Sequence, residues 1–500
     1  MAAAQPAAAT AIAAGVEQTL YRIAREHAAP SQLIPTTTTT AALSAPGNSE
    51  APPLPEAAFV ARFPVVAVAY SGGLDSSVLL DIAQSFAQRH GVTLLAFHIH
   101  HGINEQADAW LAHCEQTCAQ RGVRFDARRI ALHNSEDSGI EEAARLGRYA
   151  ALGELCRQHQ VSLLLTAHHL DDQAETVLLQ LLRGAGVAGL SGMDSANTAA
   201  ALLGDAQLLI ARPLLTLARS DLERYAQAQG ITNVEDPSNA DTRYARNALR
   251  HQVMPVLDAS FPGFQHRFSR AARHMQAAQR LLVELAQQDL ARCAQGSTLN
   301  VPLLAELNAD RLDNLLRYWF AERGLRMPSS AWLQELRSQL LEAKSSAQLC
   351  VTHPACHIRR HRDRVYLTPR RAPVPEEMEA SLFRWNGESQ LDMPAYGGTL
   401  HIEPALTGID PDWLRAQPLA LAYRSGGERL RIAANRPAKS LKYHYQTLDI
   451  PAWERPYLPL VTAAEAMVYA AGIGHDCGVI SEGPGRVLLR WQDAYFMAPQ

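Results

Sequence analysis

No apolar run in this chain of 500 residues approaches the roughly 18 residues that a membrane-spanning helix needs, so a membrane partner is not expected. Cysteine is scarce: seven residues, an odd number, are scattered along the chain. That pattern excludes a disulfide scaffold and points to a reducing compartment. Cys-x-x-Cys is absent altogether, so paired cysteines for carrying sulfur or holding a cluster are not expected. Cys114 and Cys118, four apart, read as buried thiols on one helix face. A dominant charge is lacking too, with 46 Lys and Arg against 50 Asp and Glu and a net charge of −4. This is not the balance of a general nucleic-acid binder, and any RNA contact must come from local basic patches. No Lys or Arg precedes the alanine-rich start, which argues against a secretory signal. The cytoplasm is the expected location, with organelle targeting by the Ala/Thr/Arg-rich start as the alternative.

What is present begins with a poorly patterned segment. Residues 1–57 are dominated by Ala, Thr, Pro and Ser, and are expected to be mostly a disordered tail, with room for a short helix around Val16 to His27. Pro64 to Tyr70 (PVVAVAY) is then a β-branched apolar run of the kind buried in a parallel sheet. Val78, Leu79, Ile82 and Phe86 follow at helical spacing. Strands are expected again at Val92 to His98, Arg124 to Leu132 and Ser162 to Ala167, alternating with helices at Glu105 to Arg121, Ile140 to His159 and Asp171 to Arg183. This alternation predicts a doubly wound α/β domain with a parallel sheet over 58–253. Ligands in such sheets sit beyond the carboxyl ends of the strands, where strand order reverses. Helical patterns rich in Ala, Leu, Gln and Arg run on from Met254, giving an expected helical domain over 254–375. Pro-rich Thr368 to Glu377 reads as a linker, and 381–500 as a small α+β domain.

Between the first strand and its helix lies Ser71-Gly72-Gly73-Leu74-Asp75-Ser76. Glycines let backbone approach a ligand, and the free N–H groups opening the helix face it with the positive end of the helix dipole. That is an anion site, but no Gly-Lys-Ser/Thr follows, so it is not a Walker A loop. It resembles the pyrophosphate-binding loop of the N-type ATP pyrophosphatases (the PP-loop superfamily), which implies ATP as cofactor. A second segment, His168-His169-Leu170-Asp171-Asp172-Gln173, ends another strand and brings Glu175 onto the same helix side. Three carboxylates so close are costly unless neutralised by a cationic substrate or by a metal such as Mg²⁺ bridging carboxylates and phosphates. His98 and His100 share a strand face; one of them serves equally well as a packed core histidine. Arg246 and Arg250 fall on one helical face, and arginine suits bidentate phosphate contacts.

Taken in order, SGGLDS, HHG at 100–102, Ala144-x-x-x-Arg148-Tyr149, the HHLDDQAET run at 168–176, Arg212-Pro213 and the run from Asp236 to Asn247 resemble the bacterial tRNA(Ile)-lysidine synthetase family. The likeness continues through Arg424-Ser425-Gly426-Gly427-Glu428-Arg429 and Lys439-Ser440-Leu441-Lys442, and so covers nearly everything from about residue 60 onward. It implies ATP-dependent joining of the ε-amine of free L-lysine to C2 of the wobble cytidine in the isoleucine tRNA with a CAU anticodon. The product, lysidine, forms through a cytidine adenylate with release of pyrophosphate and AMP, and changes the tRNA's identity from methionine to isoleucine.

By the same resemblance, Ser71, Gly72, Gly73, Leu74, Asp75 and Ser76 contact the ATP phosphates, with Asp75 also a Mg²⁺ ligand. Asp172 and Glu175 recognise lysine or, for Asp172, hold the metal; these roles are not separable from sequence. His168 or His169 lies near the reacting groups. Arg145 and Arg148 lie near phosphate or RNA, Arg243 and Arg246 on substrate, and Arg424, Arg429, Lys439 and Lys442 on tRNA. Ile103-Asn104 stands where many family members carry Leu-Arg, so a cation used there elsewhere is missing or replaced. Two basic stretches, Arg359 to Arg371 and Arg424 to Lys442, are expected to supply phosphate affinity. The oligomeric state stays open, with a homodimer entertained. Competing readings are a tRNA thiolase, disfavoured by the lack of paired cysteines, an amidotransferase-coupled synthetase, and a non-catalytic RNA-binding module.

Overall fold

A computed structural model describes residues 4–27, 56–102, 106–130, 140–326, 329–342, 349–375, 378–464 and 466–494. The chain divides into two compact units, Met1–Val283 and Glu284–Gln500. Among the described residues no helix is long and apolar enough to cross a membrane.

The first unit opens with helix α1 (Ala4–Glu26), followed by α2 (Glu56–Arg62). Then come β1 (Val65–Ala69), α3 (Leu74–His90), β2 (Thr93–His100), α4 (Ala107–Arg121), β3 (Arg124–Arg129), α5 (Ile140–Gln158), β4 (Leu163–Leu165) and α6 (Leu170–Leu182). The unit continues through α7 (Val187–Leu190), β5 (Ala196–Thr198), α8 (Ala200–Leu203), β6 (Leu209–Ala211) and α9 (Arg219–Gln229). Beyond lie α10 (Ala245–Ala248), a π-helical turn over Leu249–Val253, α11 (Met254–Ser260) and α12 (Phe264–Cys293). The strands form one sheet in the order β3-β2-β1-β4-β6-β5, parallel except for the β5–β6 pair. The alternation in β1 serves two cores. Val66 and Val68 pack into one with α3 and α9, and Ala67 into the other with Phe97, Leu152 and Leu155. Because β2 and β3 lie to one side of β1 and β4 and β6 to the other, strand order reverses between β1 and β4. A crevice is therefore expected beyond their carboxyl ends.

The amino-terminal expectation needs correction. Residues 4–26 are not a tail: α1 buries Ala9, Val16, Leu20, Ile23 and Ala24 in the core shared by α3 and α9. Val16, Leu20 and Ile23 recur at helical spacing and make one apolar stripe. Tyr21 meets Phe59 and Phe86 edge-on, and Glu17 pairs with Arg89 and His90 at 2.8 Å. Arg89 thus places positive charge in the last turn of α3, where it suits the helix dipole. Residues 28–55 lie outside the described chain.

The second unit is not helical alone. β7 (Ala294–Gln295) and β8 (Thr298–Asn300) precede α13 (Val301–Ala305), α14 (Ala309–Glu322) and α15 (Ser330–Glu342). They join β9 (Cys350–Thr352), β10 (Cys356–His361) and β11 (Arg364–Pro369) in a five-stranded sheet. Ile358 and Val365 of that sheet pack against Trp319, Phe320 and Leu336. From Ser381 onward antiparallel strands dominate, as the short β-like runs suggested. The basic stretch after residue 358 is partly spent inside this unit. Arg360 is buried and donates to the Leu340 and Arg362 carbonyls at 2.8 and 2.9 Å. Arg362 pairs with Asp449 at 2.7 Å, and Arg371 grips Asp493 through two bonds of 2.7 Å. Of the arginines read as an open phosphate patch, Arg360 is therefore an internal strut and Arg371 a partly buried one, while Arg362, Arg364 and Arg370 are exposed.

Candidate functional site

Ser71 to Gly73 leaves β1 and turns into α3. Gly72 has φ +82°, and a Cβ there would stand 2.9 Å from Cys114 Sγ and 3.1 Å from Val234 Cγ2. Conformation and space both demand glycine. The turn is laced by its own serines. Ser76 Oγ donates to the Gly73 carbonyl at 3.0 Å, accepts from the Ser71 N–H at 3.2 Å and lies 3.0 Å from Ser71 Oγ. Gly73 at the helix start is extended, with no side-chain cap. The first intrahelical bond is Ser77 N–H to the Gly73 carbonyl, so the preceding N–H groups stay outside the helix ladder. An uncapped helix N-terminus thus opens toward the crevice.

Beside this turn, between β4 and α6, stand the two histidines. His169 is buried, its Nε2 3.7 Å from Asp75 Oδ2 and 3.4 Å from Asp172 Oδ2, and its Nδ1 3.5 Å from Asp171 Oδ2. Burial alone would pull its pKa down, but Asp171, Asp75 and Asp172 outweigh that and push it up to about 10. Near neutral pH it is an imidazolium among carboxylates. His168 behaves oppositely: burial, reinforced by Arg212, Arg246 and Arg148, pushes it down to about 3 against the pull of Asp172. Its Nδ1 lies 3.0 Å from Thr166 Oγ1. The two neighbours left undivided by sequence therefore differ in charge.

The carboxylates are clamped. Asp172 Oδ2 accepts from the His169 N–H at 3.0 Å, and its Oδ1 accepts from Arg246 at 3.3 Å and Arg250 at 3.1 Å. Glu175, 1 % exposed, accepts from Arg246 Nε at 2.8 Å and from Arg250 Nε and Nη2 at 2.6 and 3.0 Å. Burial raises the Asp172 pKa, yet the charges of His169 and Arg246 hold it below the usual carboxylate range. Arg250 sits in the π-helical turn, a local widening that recurs at functional sites. Asp171 accepts from the Arg219 backbone N–H at 2.8 Å, and Arg219 Nη1 lies 3.5 Å from Asp75 Oδ2. Gln173 faces away, tying the loop at Met193 through bonds of 2.9 and 2.8 Å.

Not every expected residue arrives here. Arg243 is exposed and bonds Asp241 at 2.7–3.1 Å rather than a carboxylate of the cluster. Arg145 and Arg148 lie over the Tyr149 ring at 5.6 and 5.8 Å. His98 is buried with Nδ1 3.0 Å from the Tyr70 carbonyl, the packed-histidine alternative, while His100 reaches Asp108 at 3.3 Å. Ile103 and Asn104 fall outside the described residues. Arg424, Arg429, Lys439 and Lys442 belong to the second unit, where Arg429 donates to the Ala438 carbonyl at 2.7 Å and Lys439 Nζ lies 5.5 Å from the Tyr443 ring centre. Arg219 was not singled out from sequence; nothing local distinguishes it from a surface arginine.

Three family models match the chain: a PP-loop domain over residues 56–257, a TilS substrate binding domain over 299–366 and a TilS substrate C-terminal domain over 419–491. The first implies ATP binding and lands on the crevice just described. Among curated relatives, the tRNA(Ile)-lysidine synthase of Ralstonia nicotianae is 44% identical over 440 residues, covering 86% of this chain and 93% of the relative. That of Burkholderia pseudomallei is 39% identical, covering 82% and 88%, and that of Alkalilimnicola ehrlichii 40% identical, covering 81% and 89%. With its crevice, its clamped carboxylates and relatives matched along most of their length, the chain belongs to the tRNA(Ile)-lysidine synthase family.

Proposed function

We propose that this chain joins free L-lysine to C2 of the wobble cytidine of a CAU-anticodon isoleucine tRNA, in the cytoplasm, at the expense of ATP. The observation that supports it most is the meeting, at the switch point of the sheet, of an uncapped helix N-terminus with carboxylates clamped by Arg246 and Arg250. A C2 carbonyl oxygen is a poor leaving group. In the first step it attacks the α-phosphorus, a C–O–P linkage forms, and the bond to the β-phosphate breaks with pyrophosphate taking the electron pair. In the second, the lysine amine attacks C2, a C–N bond forms, and AMP departs carrying the former carbonyl oxygen.

Ser71, Gly72, Gly73, Leu74 and Ser76 line the phosphate turn with N–H and hydroxyl donors. Mg²⁺ fits Asp75: its Oδ1 is buried without a hydrogen-bond partner, and Mg²⁺ is commonly held by one or two carboxylates plus phosphates. When bound it would offset phosphate charge. Asp172 fits this role poorly, since two arginines and a backbone amide already engage it. Asp172 and Glu175 would receive the lysine amines by exchanging Arg246 and Arg250 for them, one carboxylate then accepting the proton that the attacking nitrogen must lose. His169, already protonated, is not that base. His168, held neutral, offers a hydrogen bond without added charge. The cytidine must be splayed from the anticodon stack to reach the crevice. Exposed Lys439 and Lys442 suit the tRNA backbone.

The test is pyrophosphate release from ATP with and without the CAU-anticodon tRNA and lysine. Release dependent on that tRNA, with lysine-modified RNA and AMP appearing when lysine is added, is the expected result. Release that needs sulfide or glutamine in place of lysine overturns the substrate.

A further inference from the structure

The phosphate turn contains no cation, so the charge that gathers on departing pyrophosphate has no partner inside SGGLDS. The arginines of the carboxylate cluster are ill placed to supply one: Arg246 and Arg250 are both committed to Asp172 and Glu175. Arg219 differs. It is the first residue of α9, and its side chain is 43% exposed. Its contacts to acids are long, 3.5 Å to Asp75 and 3.3 Å to Glu223. A cation at a helix N-terminus opposes the helix dipole, a placement that stability alone disfavours. Its backbone N–H is separately fixed to Asp171 at 2.8 Å, which anchors the start of α9 beside the crevice whatever the side chain does. The guanidinium is thus held loosely beside Asp75, the acid on the first turn after the phosphate loop.

We infer that Arg219 is a catalytic residue of the adenylation step: its guanidinium leaves Asp75 for the β- and γ-phosphates of ATP and takes up the charge on pyrophosphate as the bond to the α-phosphorus breaks. The electron pair of that bond goes to the bridging oxygen, which stays with the β-phosphate, and two guanidinium N–H groups match two phosphate oxygens. This rests on the reaction proposed above.

The test uses the full chain with ATP, Mg²⁺, lysine and CAU-anticodon tRNA, comparing wild type, Arg219→Ala and Arg219→Lys. Arg219→Ala keeps the backbone bond to Asp171, so folding is expected to be retained. It should lower kcat for pyrophosphate release about 10²-fold, the low end of what removing one donor to developing negative charge costs. It should raise the inhibition constant of added pyrophosphate by a comparable factor and leave tRNA affinity unchanged. Arg219→Lys should recover part of the rate, and guanidinium ion in the assay should partly rescue the alanine variant. An alanine variant with wild-type kcat overturns the inference. So does a slow variant whose inhibition by pyrophosphate is unchanged and which guanidinium does not rescue, because Arg219 would then only brace Asp75. A wild-type chain that releases no pyrophosphate overturns the parent reading and this inference with it.

Discussion

Arg250 holds Glu175 through two hydrogen bonds, Nε to Oε1 at 2.6 Å and Nη2 to Oε2 at 3.0 Å, from the π-helical turn to a carboxylate on α6. Glu175 is almost fully buried, and Arg246 takes the same carboxylate at 2.8 Å. Removing one partner of a buried pair costs about 3–5 kcal/mol, because the other charge stays buried. For Arg250→Ala the lower end is expected, since Arg246 still neutralises Glu175. Urea denaturation should show the loss. A double-mutant cycle with Glu175→Gln should give a coupling of about 1–3 kcal/mol. Additive effects would mean that the two side chains do not act as a pair.

The neighbouring histidines set opposite limbs of the stability–pH profile. His169 is raised to about 10 in the folded chain against roughly 6.5 unfolded. Between those values the folded state holds a proton that the unfolded state has lost, so stability is full below about 6.5 and declines as pH rises toward 10. His168 is lowered to about 3. Below about 6.5 the unfolded state binds a proton there that the folded state refuses, so stability falls as pH drops toward 3. His169→Asn should flatten the alkaline limb and His168→Asn the acid limb, as read by melting temperature against pH. Asp75, Asp171 and Asp172 all face His169, so the alkaline effect is the cleaner of the two.

Much of this was legible in the chain. PVVAVAY and SLLLTA became β1 and β4 because β-branched and leucine runs have only a sheet interior to fill. SGGLDS and HHLDDQAET meet because both follow strands flanking the order reversal. The four-residue spacing of Arg246 and Arg250 announced one face, but their partner Glu175 lies 71 and 75 positions away, a distance no local pattern encodes. The carboxyl-terminal part of α1, with Val16, Leu20 and Ile23, matches the short helix expected there, but its first turns were missed because their alanines read as tail. Arg243 pairs within its own Asp-x-Arg turn, a local contact that the helical spacing of the neighbouring arginines did not announce.

α1 therefore offers a direct stability test. Leu20 is buried beside Phe59, Val66, Phe86 and Leu163. Leu20→Ala should cost about 2–5 kcal/mol, the usual range for a buried leucine truncation. Tyr21, on the same helix, already shields Phe59 and Phe86, so local collapse should place the loss toward the lower end. Denaturant titration measures it directly. A cost under about 0.5 kcal/mol, the range of surface substitutions, would show that α1 does not dock.

The two basic stretches should separate in their response to salt. Lys439 and Lys442 lie exposed at the start of a short helix, with Lys439 over the half-exposed Tyr443 ring. Arg371 is instead held by Asp493. Each phosphate contact releases about one counterion, so losing it lowers the slope of log affinity against log salt by roughly one. Lys439→Gln with Lys442→Gln should therefore weaken tRNA binding and flatten that slope by up to about two. Arg371→Gln should leave the slope alone and lower the melting temperature, because its bidentate pair with Asp493 ties residues far apart in the second unit. Filter-binding titrations across a salt series distinguish the two. A flattened slope for Arg371→Gln would mean that its ion pair opens to meet RNA.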